Sequence, residues 1–225
     1  MPQESPGRSD FAAVLGFTSV AFFLVLLPFE LIPEIPVDID AKPFFVPLAI
    51  CALLPSGRIG LAVALGVALG EGLRDLMEGY ELDDPIGFFG YIAGFYAASL
   101  IFATAPFNAF TLILGSLVCA AIQSTLEASS FLLFGGEALT VAVWSAVGNT
   151  ISHGLIFGAI PLLVLTPRLH GRFEAYLGFA PRGAPAPGPL KAGESDLQPG
   201  PDAIAWLKAA AYRGPGQVTP AFQRV

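Results

Sequence analysis

Two pairs of polar side chains stand inside long apolar segments, and their chemistry suits them to binding a ligand. Gln123 and Glu127 are four residues apart in one segment, and Asn149 and His153 are four apart in the next. This interval places both members of a pair on one face of a helix. Because burying polar and charged groups in lipid is costly, such residues often mark a functional site.

Three interpretations of these pairs remain open. In the first, Glu127 is the anionic anchor of an outward-opening ligand pocket, and Asn149 and His153 supply hydrogen bonds. In the second, the same groups are polar contacts between two helices, with Glu127 protonated or bonded to Gln123. In the third, Glu127 and His153 relay protons. A further charged group, Glu71-Arg74-Asp75, is more typical of a structural ion pair than of catalysis.

Motifs for other chemistry are absent from the sequence. There is no G-x-x-x-x-G-K-[ST] phosphate loop, no H-E-x-x-H and no G-x-S-x-G. Cys51 and Cys119 lie in apolar runs without metal-ligand spacing, and the only histidines are His153 and His170. We therefore expect no enzymatic activity, no metal site and no cofactor.

The composition predicts an integral membrane protein. Hydrophobic residues make up 54% of the 225 residues and charged residues only 13%, whereas soluble domains carry about 25% charged residues. The net charge of −7 and the lack of a Lys/Arg cluster argue against a nucleic-acid partner. The lipid bilayer is thus the expected surrounding of this chain.

Apolar segments long enough to be helices recur along the chain, and a helix needs about 20 apolar residues to span a bilayer. Together they predict an all-α, six-transmembrane-helix bundle over residues 11–166. The second segment is too short to cross unaided and is the weakest member. The six segments are Phe11–Ile32, Pro43–Pro55, Arg58–Met77, Pro85–Ala105, Phe107–Phe134 and Leu139–Thr166.

The distribution of cations predicts the orientation. Placing both termini in the cytoplasm puts Arg8, Arg58, Arg168 and Arg172 inside, in accord with the positive-inside rule. The predicted location is the plasma membrane. Residues 1–10 then form a cytoplasmic segment, and residues 167–225 form a largely flexible cytoplasmic tail. Asp202–Tyr212 has the pattern of a short helix, but a loosely ordered tail is the favoured interpretation of this stretch.

The same orientation collects most acidic residues at the outer face. An acidic surface attracts cations, although a merely hydrated rim explains the acids equally well. Glycine pairs at four-residue spacing, which permit close helix approach, predict packing within the chain. They are Gly66 and Gly70, Gly90 and Gly94, and Gly154 and Gly158.

The stretch from Leu31 to Phe102 resembles the substrate-binding S component of energy-coupling-factor (ECF) vitamin transporters. A Pro-rich outer loop is followed by a short helix, a Gly-rich helix and a fourth helix, and the six-helix count also fits. The resemblance covers roughly residues 11–166. The segments that carry it read IPEIPVDIDAKPFF, VPLAICALLPSGRIGLAVALGVALGEGLRDLM and GFFGYIAGFYAASLIF.

The resemblance implies a protein that captures a vitamin or a metal ion from outside. It would then dock on a transmembrane coupling subunit that two ATPase subunits energise. Small residues of the first helix, here Ala12 and Gly16, would form the docking surface, and the loop Glu34–Phe45 would cover the pocket. The lining residues would include Tyr91, Phe95, Gln123, Glu127 and Asn149, with His153 nearby.

Two features narrow the substrate within this resemblance. Cobalt and nickel members begin with Met-His, whereas this chain begins Met1-Pro2, which argues against a metal substrate. The acidic outer face and Glu127 favour a cationic or amine-bearing ligand, such as a thiamin-like compound.

Two other classes of function remain as alternatives. The third segment, with Gly66, Gly70 and Asp75, also resembles the rod-shape-determining membrane scaffold of cell-wall elongation. A scaffold would need no outward pocket. The other alternative is a proton-coupled secondary carrier, which usually shows paired repeats with broken helices; the sequence has no convincing repeat.

Overall fold

Helices account for most of the described chain, as expected for apolar segments that must satisfy their backbone hydrogen bonds internally. The computed structural model describes residues 8–29, 31–32, 39–79, 84–136 and 138–182, and of Glu78 and Asp84 it describes only the backbone. No β-strand is present within these ranges. All of them belong to one compact unit that ends at Ala184.

Within the described ranges eight α-helices follow one another, and wider π-helical turns extend two of them. Phe131–Gly135 prolongs the fifth helix, and Thr150–Ala159 joins the sixth to the seventh. The helices are α1 (Arg8–Phe29), α2 (Phe45–Leu53), α3 (Arg58–Glu78), α4 (Asp84–Thr104), α5 (Ala109–Ser130), α6 (Leu139–Asn149), α7 (Ile160–Leu169) and α8 (Arg172–Tyr176).

Among the residues that the structure describes, four helical stretches are long and apolar enough to cross a membrane: Arg8–Phe29, Pro85–Thr104, Ala109–Gly135 and Leu139–Leu169. The prediction of an all-helical membrane protein is confirmed at this level. Helix α2 has nine residues, about 14 Å of rise, against a hydrocarbon core of about 30 Å. Its residues from Pro47 to Leu53 are all buried within the protein. The count of six crossings and the cytoplasmic termini stay predictions.

The helix boundaries differ from the predicted ones in small ways. Helix α1 begins at Arg8, three residues before the predicted start, and ends at Phe29. Helix α5 begins after Asn108, whose side chain caps it by accepting a hydrogen bond from the Phe110 backbone N–H at 2.9 Å. The last long helical stretch passes through Pro167 and ends at Leu169.

The described residues after Thr166 pack on the bundle. The buried Glu174 accepts hydrogen bonds from Gly171 N–H and pairs with His170, both at 2.7 Å. Arg182 donates to the carbonyl oxygens of Cys51 and Ala52 at the end of α2, at 3.1 and 3.0 Å. The rest of the predicted tail, including the predicted helix Asp202–Tyr212, lies outside the described residues.

Glycines bring the helix backbones together, as their spacing predicted. A Cβ at Gly66 would lie 2.6 Å from the Leu15 carbonyl oxygen, and one at Gly70 would lie 2.8 Å from that of Ser19. Both glycines therefore set the approach of α3 to α1. At Gly94, on α4, a Cβ would lie 2.6 Å from a carbonyl oxygen of α5. The predicted packing within the chain is confirmed at these positions.

We expect Gly70→Leu to lower the free energy of unfolding by about 1–3 kcal/mol, because the side chain must push α3 from α1. Gly72→Leu is the matched control on the same helix, since a Cβ added there would meet no atom within 4 Å. Unfolding of both variants in detergent, followed by helical circular dichroism, measures the difference. Equal losses in the two variants would contradict a close α1–α3 contact at Gly70.

Candidate functional site

The segment from Ile39 to Phe44 enters the bundle and is anchored by the α6–α7 region. The Asp40 backbone N–H donates to Asn149 Oδ1 at 3.1 Å, and Ser152 Oγ donates to the Asp40 carbonyl oxygen at 2.7 Å. His153 Nε2 lies 2.6 Å from Asp40 Oδ1. Three side chains therefore fix the backbone and the carboxylate of one loop residue.

The π-helical turns between α6 and α7 position these anchors. Ser152 and His153 both lie in Thr150–Ala159, and such turns often occur at functional sites. Gly158 belongs to the same turns, and a Cβ there would collide with the His153 carbonyl oxygen. A glycine at this position thus allows the backbone geometry that presents His153 to Asp40.

Lys42 is the centre of the site. Its ammonium nitrogen lies 3.2 Å from Glu127 Oε1, 3.3 Å from Glu71 Oε1 and 3.4 Å from Asp40 Oδ2. The three carboxylates come from α5, α3 and the loop itself. The Lys42 side chain is only 8% exposed, so these ion pairs replace most of the water that an ammonium group requires.

Further polar groups hold the carboxylates in place. Glu71 Oε1 also accepts hydrogen bonds from Arg74 Nη1 at 2.9 Å and from the Tyr91 hydroxyl at 3.0 Å. Gln123 Nε2 donates to Glu127 Oε2 at 2.9 Å. Three carboxylates against the two cations Lys42 and Arg74 leave one net negative charge when His153 is neutral.

Lys42, the three carboxylates and the polar side chains bonded to them form one charged cluster. Two buried polar atoms of this cluster lack a hydrogen-bond partner among the described residues. They are Glu71 Oε2 and His153 Nδ1. Buried polar groups in proteins are nearly always paired, so each exception requires an explanation. Glu71 Oε2 is an acceptor with unused capacity beside the Lys42 ion pairs, and a ligand donor or a water molecule would satisfy it.

An aromatic wall closes one side of the cluster. Phe44 is fully buried, and its ring centroid lies 5.0 Å from Phe95, 6.0 Å from Tyr91 and 4.8 Å from the His153 ring. The Lys42 ammonium lies 5.7 Å from the Tyr91 ring centroid, within cation–π range. The charged groups are therefore held against a rigid apolar surface.

The structure brings the six predicted binding residues to this one region. Five have buried side chains, and the Glu127 side chain is 20% exposed. Their role in substrate binding stays a prediction. The contact between Gln123 and Glu127 is also the one that the polar-contact interpretation proposed. The five buried residues are Tyr91, Phe95, Gln123, Asn149 and His153.

The sequence did not identify the central residues of the cluster. Neither Lys42 nor Asp40 is among the predicted binding residues, although both lie in the loop Glu34–Phe45 that is predicted to cover the pocket. Glu71 is predicted only as part of a structural ion pair. One signal was present: Lys42 is the only lysine in the first 190 residues, and it follows Asp40 between two apolar segments. Of the loop Glu34–Phe45, residues 34–38 lie outside the described residues.

The predicted docking residues lie on an open part of α1. Ala12 is exposed, and a Cβ added at Gly16 would meet no atom within 4 Å. Unlike Gly66 and Gly70, Gly16 therefore does not serve helix packing within the described chain. Its role in docking stays a prediction.

The loop charges stabilise each other. Burial alone would raise the pKa of Asp40, but Lys42 and then His153 outweigh it and hold this pKa well below its usual range. Burial alone would lower the pKa of Lys42, but Asp40 and then Glu127 outweigh it and hold this pKa well above its usual range. Both groups are therefore charged at neutral pH.

These shifts predict a plateau in stability against pH. Asp40 contributes stability above its unfolded pKa of about 3.9, and this is lost as pH falls through the lower folded value. Lys42 contributes below its unfolded pKa of about 10.4, and this is lost as pH rises through the higher folded value. The stability that these two groups contribute, measured as the difference in thermal midpoint between wild type and a Lys42→Met variant, should therefore stay nearly constant between about pH 5 and 9.

We expect Lys42→Met to lower the free energy of unfolding by about 3–5 kcal/mol at pH 7, because one buried and two half-buried carboxylates lose a partner. Arg168→Met is the control, since Arg168 is exposed and its side chain donates to the Val164 carbonyl oxygen, away from the cluster. The measurement is denaturant unfolding in detergent. A loss no larger than that of the control would mean that the cluster contributes little to stability.

Comparison with known proteins places the chain in a family. Residues 18–196 match a family of unknown function, DUF8171. No curated protein matches the chain, and no solved structure matches it. Because the match covers well over half of the 225 residues, the chain belongs to the family of unknown function DUF8171.

Proposed function

We propose that this protein is the membrane-embedded capture subunit of an importer, which binds a small water-soluble molecule from outside and passes it to a partner complex. The observation that carries this proposal is the buried cluster around Lys42. Charged groups from the loop, α3 and α5 meet there at 3.2–3.4 Å from one nitrogen. Few roles other than binding or transport require so much buried charge in a membrane protein.

The cluster is larger than helix association alone requires. Interhelical contacts in membranes are usually made by small residues and single polar groups, and glycines already bring α1 to α3 and α4 to α5. Burying one carboxylate and half-burying two others adds a desolvation penalty without being needed for packing. A binding role explains why these groups are present.

Two carboxylates of the cluster are partly exposed. The Asp40 side chain is 26% exposed and that of Glu127 is 20% exposed, whereas Lys42 and Glu71 are nearly buried. A small solute that reaches Asp40 and Glu127 would thus meet two partly exposed carboxylates beside a buried ion-pair centre. A few converging polar groups beside apolar and aromatic side chains are typical of small-molecule binding.

In this proposal the chain crosses the membrane six times with both termini in the cytoplasm, and the cluster faces outside. The substrate is a vitamin or a related small molecule. Ala12 and Gly16 form the surface that docks on a transmembrane coupling subunit, and two ATPases energise the complex. The open space beside Gly16 supports this docking surface.

The capture proposal predicts that the purified protein binds a ligand by itself. Small molecules released by denaturing purified protein should include one enriched compound, identified by mass spectrometry, and adding it should raise the thermal midpoint. Glu127→Gln should weaken its binding by about 1–3 kcal/mol if the ligand is cationic. Ser129→Ala is the control on α5, because its hydroxyl donates to the Leu126 carbonyl oxygen, away from the cluster.

Two results would count against capture. One is the absence of any enriched compound in repeated preparations, together with no thermal shift from a panel of vitamins. That combination would favour the scaffold alternative. The other is solute uptake by vesicles that contain this chain alone and respond to a proton gradient, which would favour the secondary-carrier alternative.

The docking surface has its own test. Leucine at both Ala12 and Gly16 should abolish co-purification with a co-expressed coupling subunit and its ATPases, because bulky side chains prevent close helix approach. The thermal midpoint of the isolated protein should change little, since space around Gly16 is open. Ala13→Leu, at the adjacent exposed position, is the control. An intact complex in the double variant would remove α1 from the docking surface.

A further inference from the structure

We propose that the ligand of this site carries a primary ammonium group, and that it binds by displacing the Lys42 ammonium group, which occupies the ligand position until then. This inference rests on the proposed capture function and specifies its substrate class. It assigns to Lys42 the role of a tethered competitor that keeps the carboxylates neutralised when no ligand is bound.

The geometry around Lys42 Nζ favours a primary ammonium group. A lysine ammonium has three N–H donors, and oxygens of Asp40, Glu71 and Glu127 lie 3.2–3.4 Å from it. A quaternary ammonium has the charge but no donor. No group of three or more His, Cys, Asp or Glu side chains able to hold a metal ion occurs in the part of the chain that the structure describes.

A second observation, separate from the ion-pair distances, also points to a ligand. Glu71 is 5% exposed, and its Oε2 atom has no hydrogen-bond partner among the described residues. Its other oxygen, Oε1, already receives Lys42, Arg74 and Tyr91. A ligand with a further donor beside its ammonium group would satisfy this second oxygen, whereas the single ammonium of Lys42 leaves it unsatisfied.

Only the Lys42 side chain needs to move for this exchange. Asp40, two residues before Lys42 in the sequence, is held by Asn149, Ser152 and His153. Phe44, two residues after Lys42 in the sequence, is fully buried against the Phe95 ring. The loop is thus fixed on both sides of Lys42, and Asp40 stays in place to receive the ligand. The four-carbon stem of lysine is flexible enough to turn toward water.

The charge balance supports an exchange of one cation for another. With Lys42 withdrawn, the described ion pairs leave Asp40, Glu71 and Glu127 with one cation, Arg74, which pairs with Glu71. Among these groups two net negative charges remain when His153 is neutral. Restoring one positive charge returns the cluster to its former balance. Because the ligand must compete with a tethered group, its apparent affinity is the intrinsic affinity multiplied by the fraction of molecules in which Lys42 has withdrawn.

Chemical rescue tests the inference without knowledge of the native substrate. The probe is n-butylammonium, which copies the lysine stem, and its control is butyltrimethylammonium, which has the same charge but no N–H. The full-length chain is compared as wild type, Lys42→Ala, and Arg168→Ala as the surface-cation control. Binding is measured by thermal shift and by titration calorimetry in detergent.

The expected result is saturable binding of n-butylammonium to Lys42→Ala, with a raised thermal midpoint and an affinity at least about tenfold above that of wild type. The Arg168→Ala variant should behave as wild type. Butyltrimethylammonium should bind Lys42→Ala at least about tenfold more weakly, since it cannot donate hydrogen bonds. Adding Glu127→Gln to Lys42→Ala should reduce n-butylammonium binding.

If Lys42→Ala unfolds alone, it is purified with n-butylammonium present, and recovery of folded protein is then the supporting readout.

Equal binding of the two probes, or no binding and no recovery of folded Lys42→Ala, would overturn the inference. The outcome is separable from that of the capture proposal. Suppose that wild-type protein co-purifies with a compound that lacks an amine, and that Lys42→Ala does not bind n-butylammonium. This result would support the capture proposal and would contradict displacement of Lys42. Conversely, rescue by n-butylammonium in a chain that never yields a ligand supports the ammonium site and counts against capture.

Discussion

Neutralisation of buried charge is the constraint on which this structure depends. Asp40, Glu71 and Glu127 would be strongly destabilising away from water if each were alone, and the Lys42 ammonium lies within ion-pair distance of all three. One side chain from a loop therefore ties α3 and α5 to the connection between α1 and α2. The aromatic wall behind it excludes water, which strengthens these interactions.

The remaining architecture brings those groups to one place. Close backbone contacts at Gly66 and Gly70 hold α3 against α1, so the end of α3 that carries Glu71 has a defined position. The π-helical turns after α6 present Ser152 and His153 to Asp40. Because the loop is held by these turns, Lys42 enters the bundle at a fixed point. Packing by small residues and polar recognition are thus separate tasks in this fold.

The ligand-pocket and polar-contact interpretations of the intramembrane pairs are compatible in this arrangement. Gln123 donates a hydrogen bond to Glu127 within α5, as the polar-contact interpretation expects. Glu127 at the same time binds the Lys42 ammonium group. A site that is filled by a residue of the same chain resembles structural polar packing until the tethered group is removed. This explains why the residue types alone did not separate the two interpretations.

The sequence by itself determined the helical membrane class, the approximate helix positions, the glycine packing of α3 and the inward placement of Gln123, Asn149 and His153, because apolar length and four-residue spacing are local properties of a helix. Only the tertiary structure decided that Asp40, Lys42 and Glu71 meet Glu127. Lys42 and Glu127 are 85 residues apart, and no local pattern specifies which loop cation enters the bundle. That choice depends on the fold, since buried carboxylates select the cation that the surrounding helices allow to reach them.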